Sequence, residues 1–538
     1  MQNLFRRFFI QQATSLTRTA WLVASASVAS RALGVFRDRV LASEFGAGDT
    51  LDVYYAAFRF PDLIYNLVIV GALSAGFIPV FMAAKEKGKN EHWRIAGVFA
   101  SAIALTLFFM AVLLAVTAPY LVPILAPGFS DEKQQVVISL TRILCFSPLL
   151  LGMSAVAGAV LQSFQRFFLF SIAPIFYNLG IICGALFLAP RYGIRGVAWG
   201  VVIGAILHSL LQFFGAWQLG WRPRFTVRFY GTGISEITRL MAPRVVAAST
   251  QQLNVFLLTI IASTLSAGSL AVLTFSTNLY FLPVALFGIS YGVAAFPKLT
   301  QSAIAGNTND FVTIFSSAVR QISFFLIPAT VLTYVLREHI VRIILGAGAF
   351  DWTATRLTSS TLGWMTLSLI FGALIPLLVR GFYAHRNALL PLYVGLTADV
   401  VTVIAAYALS RVYGIVGLGM ALSIGTAIQF FGLWIGLKHV VKFSKLNIFG
   451  SIMRQVVAGF GMACGVIGFL YVFTPLVDET KFTGLVTAAV LTMFAGVSIY
   501  LILLWFLREP TVRELIAAFR SRLTVTTAID SMEESKVT

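Results

Sequence analysis

The stretch YGIRGVAWGVVIG, Tyr192 to Gly204, returns later in the chain as YGIVGLGMALSIG, Tyr413 to Gly425, at an offset of 221. Tyr, Gly, Ile, Gly, Ile and Gly stand at the same places in both copies. A weaker echo pairs GFIPVF at 76–81 with AAFPKL at 294–299, at an offset of 218. What this repeat means depends on what lies between its copies. A bilayer crossing needs about 20 mostly apolar residues. On that measure, spans are expected near 19–44, 50–83, 94–118, 134–162, 168–190, 195–219 and 236–263. A further seven fall near 268–299, 310–335, 353–381, 387–409, 414–437, 449–473 and 482–507. The offset therefore covers six spans. Six is even, so the two copies share one topology and are related by an axis along the membrane normal. The expected fold is an all-α polytopic membrane protein of about fourteen transmembrane helices. Its N-lobe is 1–225, its C-lobe 226–445, two added helices occupy 446–508, and 509–538 is a polar tail. Channels also carry repeats, but two long six-helix lobes favour a transporter with a cavity between them.

Composition agrees. The chain has 538 residues, 58% hydrophobic and only 11% charged, with a mean hydropathy of +0.88. Soluble domains carry roughly 25% charged residues. A net charge of +18 would suggest nucleic acid in a soluble protein. Here it reads instead as basic cytoplasmic loops, and no nucleic-acid partner is expected. With the N-terminus inside, the inner loops hold Arg6, Arg7, KEKGK at 85–89, Arg166, Arg222, Arg224, Arg228, Lys298, Arg386, Lys438, Lys442 and Lys445. The outer loops hold only Lys133, Arg191, Arg195, Arg337, Arg342, Arg411 and Lys481. Both termini are thus expected in the cytoplasm. Cys145, Cys183 and Cys464 lie in apolar runs without ligand spacing, so neither a disulfide nor a metal site is expected. The first apolar run is too short, and lacks a cleavage site, for a signal peptide. No G-x-x-x-x-G-K-[ST] stretch occurs, and the five His residues are scattered away from paired acids. Neither ATP nor enzymatic catalysis is implied.

The first span carries charge where apolar residues belong. In SRALGVFRDRV (Ser30–Val40), Ser30, Arg31, Gly34, Arg37 and Asp38, with Ser27 before them, fall within an arc of about 120° at 100° per residue. Arg39 lies off that stripe. Arg31 is about 18 Å along the helix from Thr19, too deep to reach the interface easily. A charge at such depth costs at least about 2.5–3.5 kcal/mol unless it meets a watery cavity or a partner. Asp38, two turns on, can neutralise one arginine, and Asp52 or Asp62 on the second span can pair with another. The alternative is a cavity facing an anion. The second span, LDVYYAAFRFPDLIYNL, favours it by placing Asp52, Arg59 and Asp62 beside Pro61, whose ring frees a carbonyl. Arg142, Arg320 and Arg380 are read as helix-end residues reaching for the interface. Arg244 follows Pro243 in the polar seventh span. Asp399 is a lone acid, either buried or an ion-coupling candidate.

Taken together, SRALGVFRD (30–38), GAGDTLDVYYAAFRFPDL (46–63) and GALSAGFIPVF (71–81) resemble the MurJ (MviN) family of lipid II flippases. QLNVFLLTIIAS (252–263) and LPVALFGISYGVAAFPKL (282–299) are also similar to it. That family belongs to one superfamily with the multidrug-extrusion and O-antigen flippases. The resemblance covers the whole chain and is most specific in the first hundred residues. It implies inward-to-outward flipping of an undecaprenyl-diphosphate muropeptide in the bacterial cytoplasmic membrane, for peptidoglycan synthesis, through a cationic cavity that binds the diphosphate. Arg31, Arg37, Asp38 and Asp52 match family positions, and Arg59 matches a basic one. Two cavity arginines of the family fall at Tyr65 and Asn278 here, and a sodium-site acid falls at Leu258. Arg59 and Arg244 are the candidates to supply the missing charge.

A diphosphate calls for charge-assisted donors, to which arginine's planar fork is suited. The expected partners are lipid II or a related undecaprenyl-diphosphate lipid and the surrounding membrane lipids, with the carrier a monomer. No cofactor is expected; the drive is left between Na+ and the membrane potential. Two other readings stand beside this one. A cation-coupled multidrug efflux pump would want acids in the cavity, where this chain offers arginines. A transport-inactive scaffold is suggested by Tyr65 and Asn278.

Overall fold

A computed structural model describes residues 16–70, 76–88, 90–226, 237, 239, 252–441 and 448–512. Arg244, the N-terminal Arg6 and Arg7, Arg228, Lys442, Lys445 and the tail beyond 512 lie outside the described residues. The described residues form helices joined by turns and irregular segments, without strands.

Helix α1 is Leu16–Phe45, and α2 (Asp49–Tyr65) turns back from it. After α2 comes a π-helical turn, Asn66–Val70, then α3 (Ile78–Glu86) and the long α4 (Glu91–Leu125). Helices α5 (Asp131–Leu144) and α6 (Phe146–Ser163) together make one crossing, followed by α7 (Phe167–Cys183), which continues as a π-helical turn at Gly184–Leu188, and by α8 (Ile194–Gln218). The short apolar α9 is Gln252–Ser263. Next come α10 (Ser269–Pro283), a π-helical turn at Val284–Ile289, α11 (Ser290–Ile304), α12 (Thr308–Val335) and the short α13 (Arg337–Ile344). The remainder is α14 (Trp352–Thr366), α15 (Leu369–Ala384), α16 (Leu389–Tyr413), α17 (Ile415–Val441), α18 (Phe449–Phe473) and α19 (Phe482–Phe506). Among the described residues ten helices are long and apolar enough to cross a membrane, and the pair α14–α15, bent by 50°, makes an eleventh. The other three expected spans contain the arginine-bearing α1, the pair α2–α3 and α9, and parts of the last two, 71–75 and 240–251, lie outside the described residues. The protein is a multi-pass membrane protein of the expected class. Helix α13 is an addition, since Arg337 and Arg342 were read as loop residues.

The repeat is visible as local structure. Gly193 and Gly414 share φ +57, and Gly193 has ψ −145, a conformation open only to glycine. A Cβ on Gly196 would lie 2.5 Å from the carbonyl carbon of Leu188, and one on Gly417 2.5 Å from that of Leu409. It is the same contact in both copies. The π-turns at Asn66–Val70 and Val284–Ile289 are separated by the offset of the weaker echo.

The chain divides into two compact units. One contains the residues up to Phe275 with Ile344–Thr355 and Ala406–Leu418; the other contains Ser276–Ile343, Arg356–Ala405 and the residues from Gly419 on. In the first unit α7 and α8 press together through glycine. A Cβ on Gly200 would sit 2.6 Å from the Cα of Gly184, and one on Gly184 2.7 Å from the Cα of Gly200. Gly196, Gly200 and Gly204 recur every fourth residue, the small-residue stripe by which membrane helices pack without a hydrophobic drive. In the second unit, the buried Glu509 clasps the added helices at one end. It accepts from Ser451 and from Gln455 Nε2 at 3.3 Å, with Arg454 at 3.5 Å. Arginines stack on aromatics near helix ends: Arg222 on Trp217, Arg337 on Tyr334 and Arg411 on Tyr407, at 4.8, 5.0 and 4.1 Å from the ring centroids. Such pairs suit the interfacial zone, apolar on one side and wet on the other.

Candidate functional site: a polar face deep in the first unit

Helices α1 and α2 meet at the Phe45–Asp49 turn, so depth can be counted from that common end. At 1.5 Å per residue, Arg37 lies about 12 Å down α1 and Arg31 about 21 Å. On α2, Arg59 lies about 15 Å down and Asp62 about 20 Å. These side chains thus spread over about 9 Å of depth around the middle of a bilayer whose apolar core is about 30 Å thick.

Arg37 is the best ordered of them chemically. Its Nε and Nη2 donate to one oxygen of Asp38, at 3.1 and 2.8 Å, and its Nη1 donates to Asn178 Oδ1 at 3.0 Å. Asn178 is fixed in turn, its Nδ2 donating to the Pro174 carbonyl at 3.0 Å. Gly34, one turn before Arg37, faces α7: a Cβ there would meet Asn178 Oδ1 at 3.9 Å, an ordinary contact distance. Three of the five guanidinium N–H groups are so engaged, leaving one on each Nη. The side chain retains 25% exposure, so those two donors are open to a ligand. Asp38 is thereby paired with its sequence neighbour Arg37, a pairing that helical spacing did not suggest.

Arg31 is exposed and forms no hydrogen bond or ion pair with the described residues. Arg59 is half-buried, and its buried Nε has no protein partner. Tyr55, in the field of Arg37 and Arg59, likewise has a buried hydroxyl without a protein partner. Asp62 is exposed and feels Arg59 and Arg37, while Tyr54, Tyr65 and Tyr177 stand in its field. Tyr65 itself packs against the apolar core of the unit beside Ile64, Phe60 and Val68.

Asp52 sits elsewhere, near the hairpin end. It is buried, and its two oxygens accept the backbone N–H groups of Gly268 at 2.7 Å and Ala271 at 2.8 Å. A carboxylate of α2 therefore caps the start of α10, satisfying amides that a helix leaves open. Around this cap the glycines are close-packed in a repeated way. Gly348 lies against Ser43 and Gly128 against Ser263, contacts with no room for a Cβ. One and the same shift along the chain, close to that of the sequence repeat, carries Gly128 onto Gly348 and Ser43 onto Ser263. Ala349 N donates to Ser43 O at 2.8 Å, and Arg39 Nη1 donates to Ile344 O at 3.3 Å.

The remaining candidates lie apart. Asn278 is half-buried on α10 in the second unit, as is Asp399 on α16. Leu258 is buried on α9. Arg380 donates to its own helix at Pro376 O, 3.0 Å, and covers Gly292. Of the groups that complete the site, sequence reasoning missed Asn178, Tyr55 and Tyr177. A lone Asn one turn after a proline in the apolar FFLFSIAPIFYNLG was the available signal. Among the described residues no group of three or more His, Cys, Asp or Glu could hold a metal ion.

A helical multi-pass membrane protein that presents arginines on its first two helices belongs to the class of transporters rather than enzymes. The family described as "Lipid II flippase MurJ" matches residues 41–487, and the chain belongs to it. A probable lipid II flippase MurJ of Rhizobium tropici is 29% identical over 70% of this chain and 72% of its own length. The lipid II flippase MurJ of Burkholderia cenocepacia is 25% identical over 79% of this chain and 84% of its own. Among solved structures, an inward closed conformation of a lipid II flippase MurJ shares the fold at TM-score 0.75 and 24% identity, covering 92% of this chain and 99% of that one. An inward-facing multidrug-resistance MATE transporter of the MOP superfamily shares it more distantly, at TM-score 0.65 and 15% identity, covering 77% of this chain and 94% of that one.

Proposed function

We propose that this protein flips lipid II, or a closely related undecaprenyl-diphosphate lipid, from the inner to the outer leaflet of the bacterial cytoplasmic membrane by alternating access. The observation that carries the reading is the open guanidinium of Arg37, held mid-membrane by Asp38 and Asn178 with two donors free. A fork fixed in this way matches a phosphate better than it does a cationic drug, which would be repelled by Arg31, Arg37 and Arg59 together. The lipid tail stays in the bilayer while the headgroup crosses. The Asp52 cap and the two Gly–Ser contacts form a closure at one end of the path, and the basic loops support placing both termini and the opposite end in the cytoplasm. The test is complementation of a bacterium depleted of its own lipid II flippase, with direct measurement of headgroup appearance on the outer leaflet. Full-level, membrane-inserted protein that leaves lipid II on the inner leaflet would overturn the reading.

A further inference from the structure

The polar face is unsaturated in both signs. Arg59 Nε–H and the Tyr55 hydroxyl are buried donors without a protein partner, and Arg37 keeps two N–H groups open. Asp62 is the opposite case: an exposed carboxylate, about 20 Å into a helix, that forms no hydrogen bond or ion pair with the described residues. Arg59 is three residues away on the same helix, a spacing at which ion pairs form readily. Yet no pair within 4.0 Å is made between them. A carboxylate kept merely to neutralise Arg59 would close that gap. Charge counting points the same way. Among the described residues, Arg31, Arg37 and Arg59 against Asp38 and Asp62 leave one positive charge, whereas a lipid diphosphate brings about two negative charges, one per phosphate. Among the described residues the bound state lacks a cation, and the open acceptor lies within the same field as the open donors.

Resting on the flippase reading, we infer that Asp62 receives a protonated amine on the substrate headgroup, so that the site selects zwitterionic lipid diphosphates over purely anionic ones. The phosphates take Arg37, Arg59 and Tyr55; the ammonium takes Asp62 and supplies the missing charge. Asp62 is then a specificity-determining residue. Its removal relieves repulsion of the diphosphate while abolishing recognition of the amine.

The experiment uses the purified full-length chain and native mass spectrometry with three probes. These are undecaprenyl diphosphate, a lipid diphosphate with a free primary amine on its headgroup, and the N-acetylated form of that lipid. The wild type is expected to bind the amine form about tenfold more tightly than the acetylated form, the scale of one charge-assisted hydrogen bond. Asp62→Asn should bind the two equally and bind undecaprenyl diphosphate at least as well as the wild type. Asp62→Glu should restore the preference, which a change in folding would not. Equal binding of the two headgroups by the wild type, or an undiminished preference in Asp62→Asn, overturns the inference and leaves Asp62 a counter-ion. Failure of the wild type to bind any of the three probes overturns the flippase reading, and this inference with it.

Discussion

Arg37 acts through geometry as much as charge, because Asp38 and Asn178 hold its plane. Deleting the Asn178 contact removes a hydrogen bond to a charged group, worth about 1.5 kcal/mol or more. Asn178→Ala is therefore expected to lower flipping about tenfold at unchanged membrane level, read as the rate of headgroup exposure in reconstituted vesicles. Arg37→Ala should abolish flipping, and Arg37→Lys should restore only part of it, since an ammonium keeps the charge without the fork. Wild-type rates in Arg37→Ala would remove this residue from the transport path. The arginine was legible in the sequence as an oddity on an apolar helix. Its partner was not, because Asn178 is distant in the chain and only the packing of α7 on α1 brings it near.

At the scale of elements, glycine decides how closely helices approach. Gly200 and Gly184 stand backbone to backbone, so Gly200→Leu must push α7 and α8 apart or fail to pack. A loss of about 3 kcal/mol is expected, seen as a lower midpoint of thermal unfolding in detergent. Gly193 and Gly414 make a sharper comparison. Both have φ +57 and open space where a Cβ would go, so an alanine there meets backbone strain alone. Gly193→Ala and Gly414→Ala should each cost about 1–3 kcal/mol and by nearly equal amounts. A large inequality would mean that the two copies of the repeat do not share their turn. Here the sequence reading went far. The repeated YGI-x-G motif turned out to be one turn and one close contact used twice.

For the whole molecule, the proposed alternating-access cycle has the closure near Asp52 open and re-form. A cysteine pair at Ser43 and Ala349, which already carry a Cβ and are joined through the backbone at 2.8 Å, should cross-link under oxidation and stop flipping until reductant is added. Sustained flipping with the cross-link intact would show that this end need not part. Topology is tested with single cysteines at exposed positions. Those at Asp131 and Lys481 should label from outside, and one at Lys87 only after permeabilisation. External labelling at Lys87 would reverse the orientation of the entire chain.

The sequence by itself determined the class of protein: apolar runs of bilayer length, an even-numbered repeat, basic residues biased to one set of loops, and charge on α1 and α2 at a depth that lipid does not tolerate. Those properties follow from covalent order and from the bilayer as solvent, so no tertiary information is needed to read them. The roles of the individual acids were decided only by tertiary structure. Asp38, Asp52 and Asp62 look alike along the chain, yet one orients Arg37, one caps α10, and one stands open to the site. The reason is physical: a carboxylate's role depends on which donors lie within about 3 Å of it. For Asp52 and Asp62, those distances are set by a helix far away in the chain or by a gap that no spacing rule foretells.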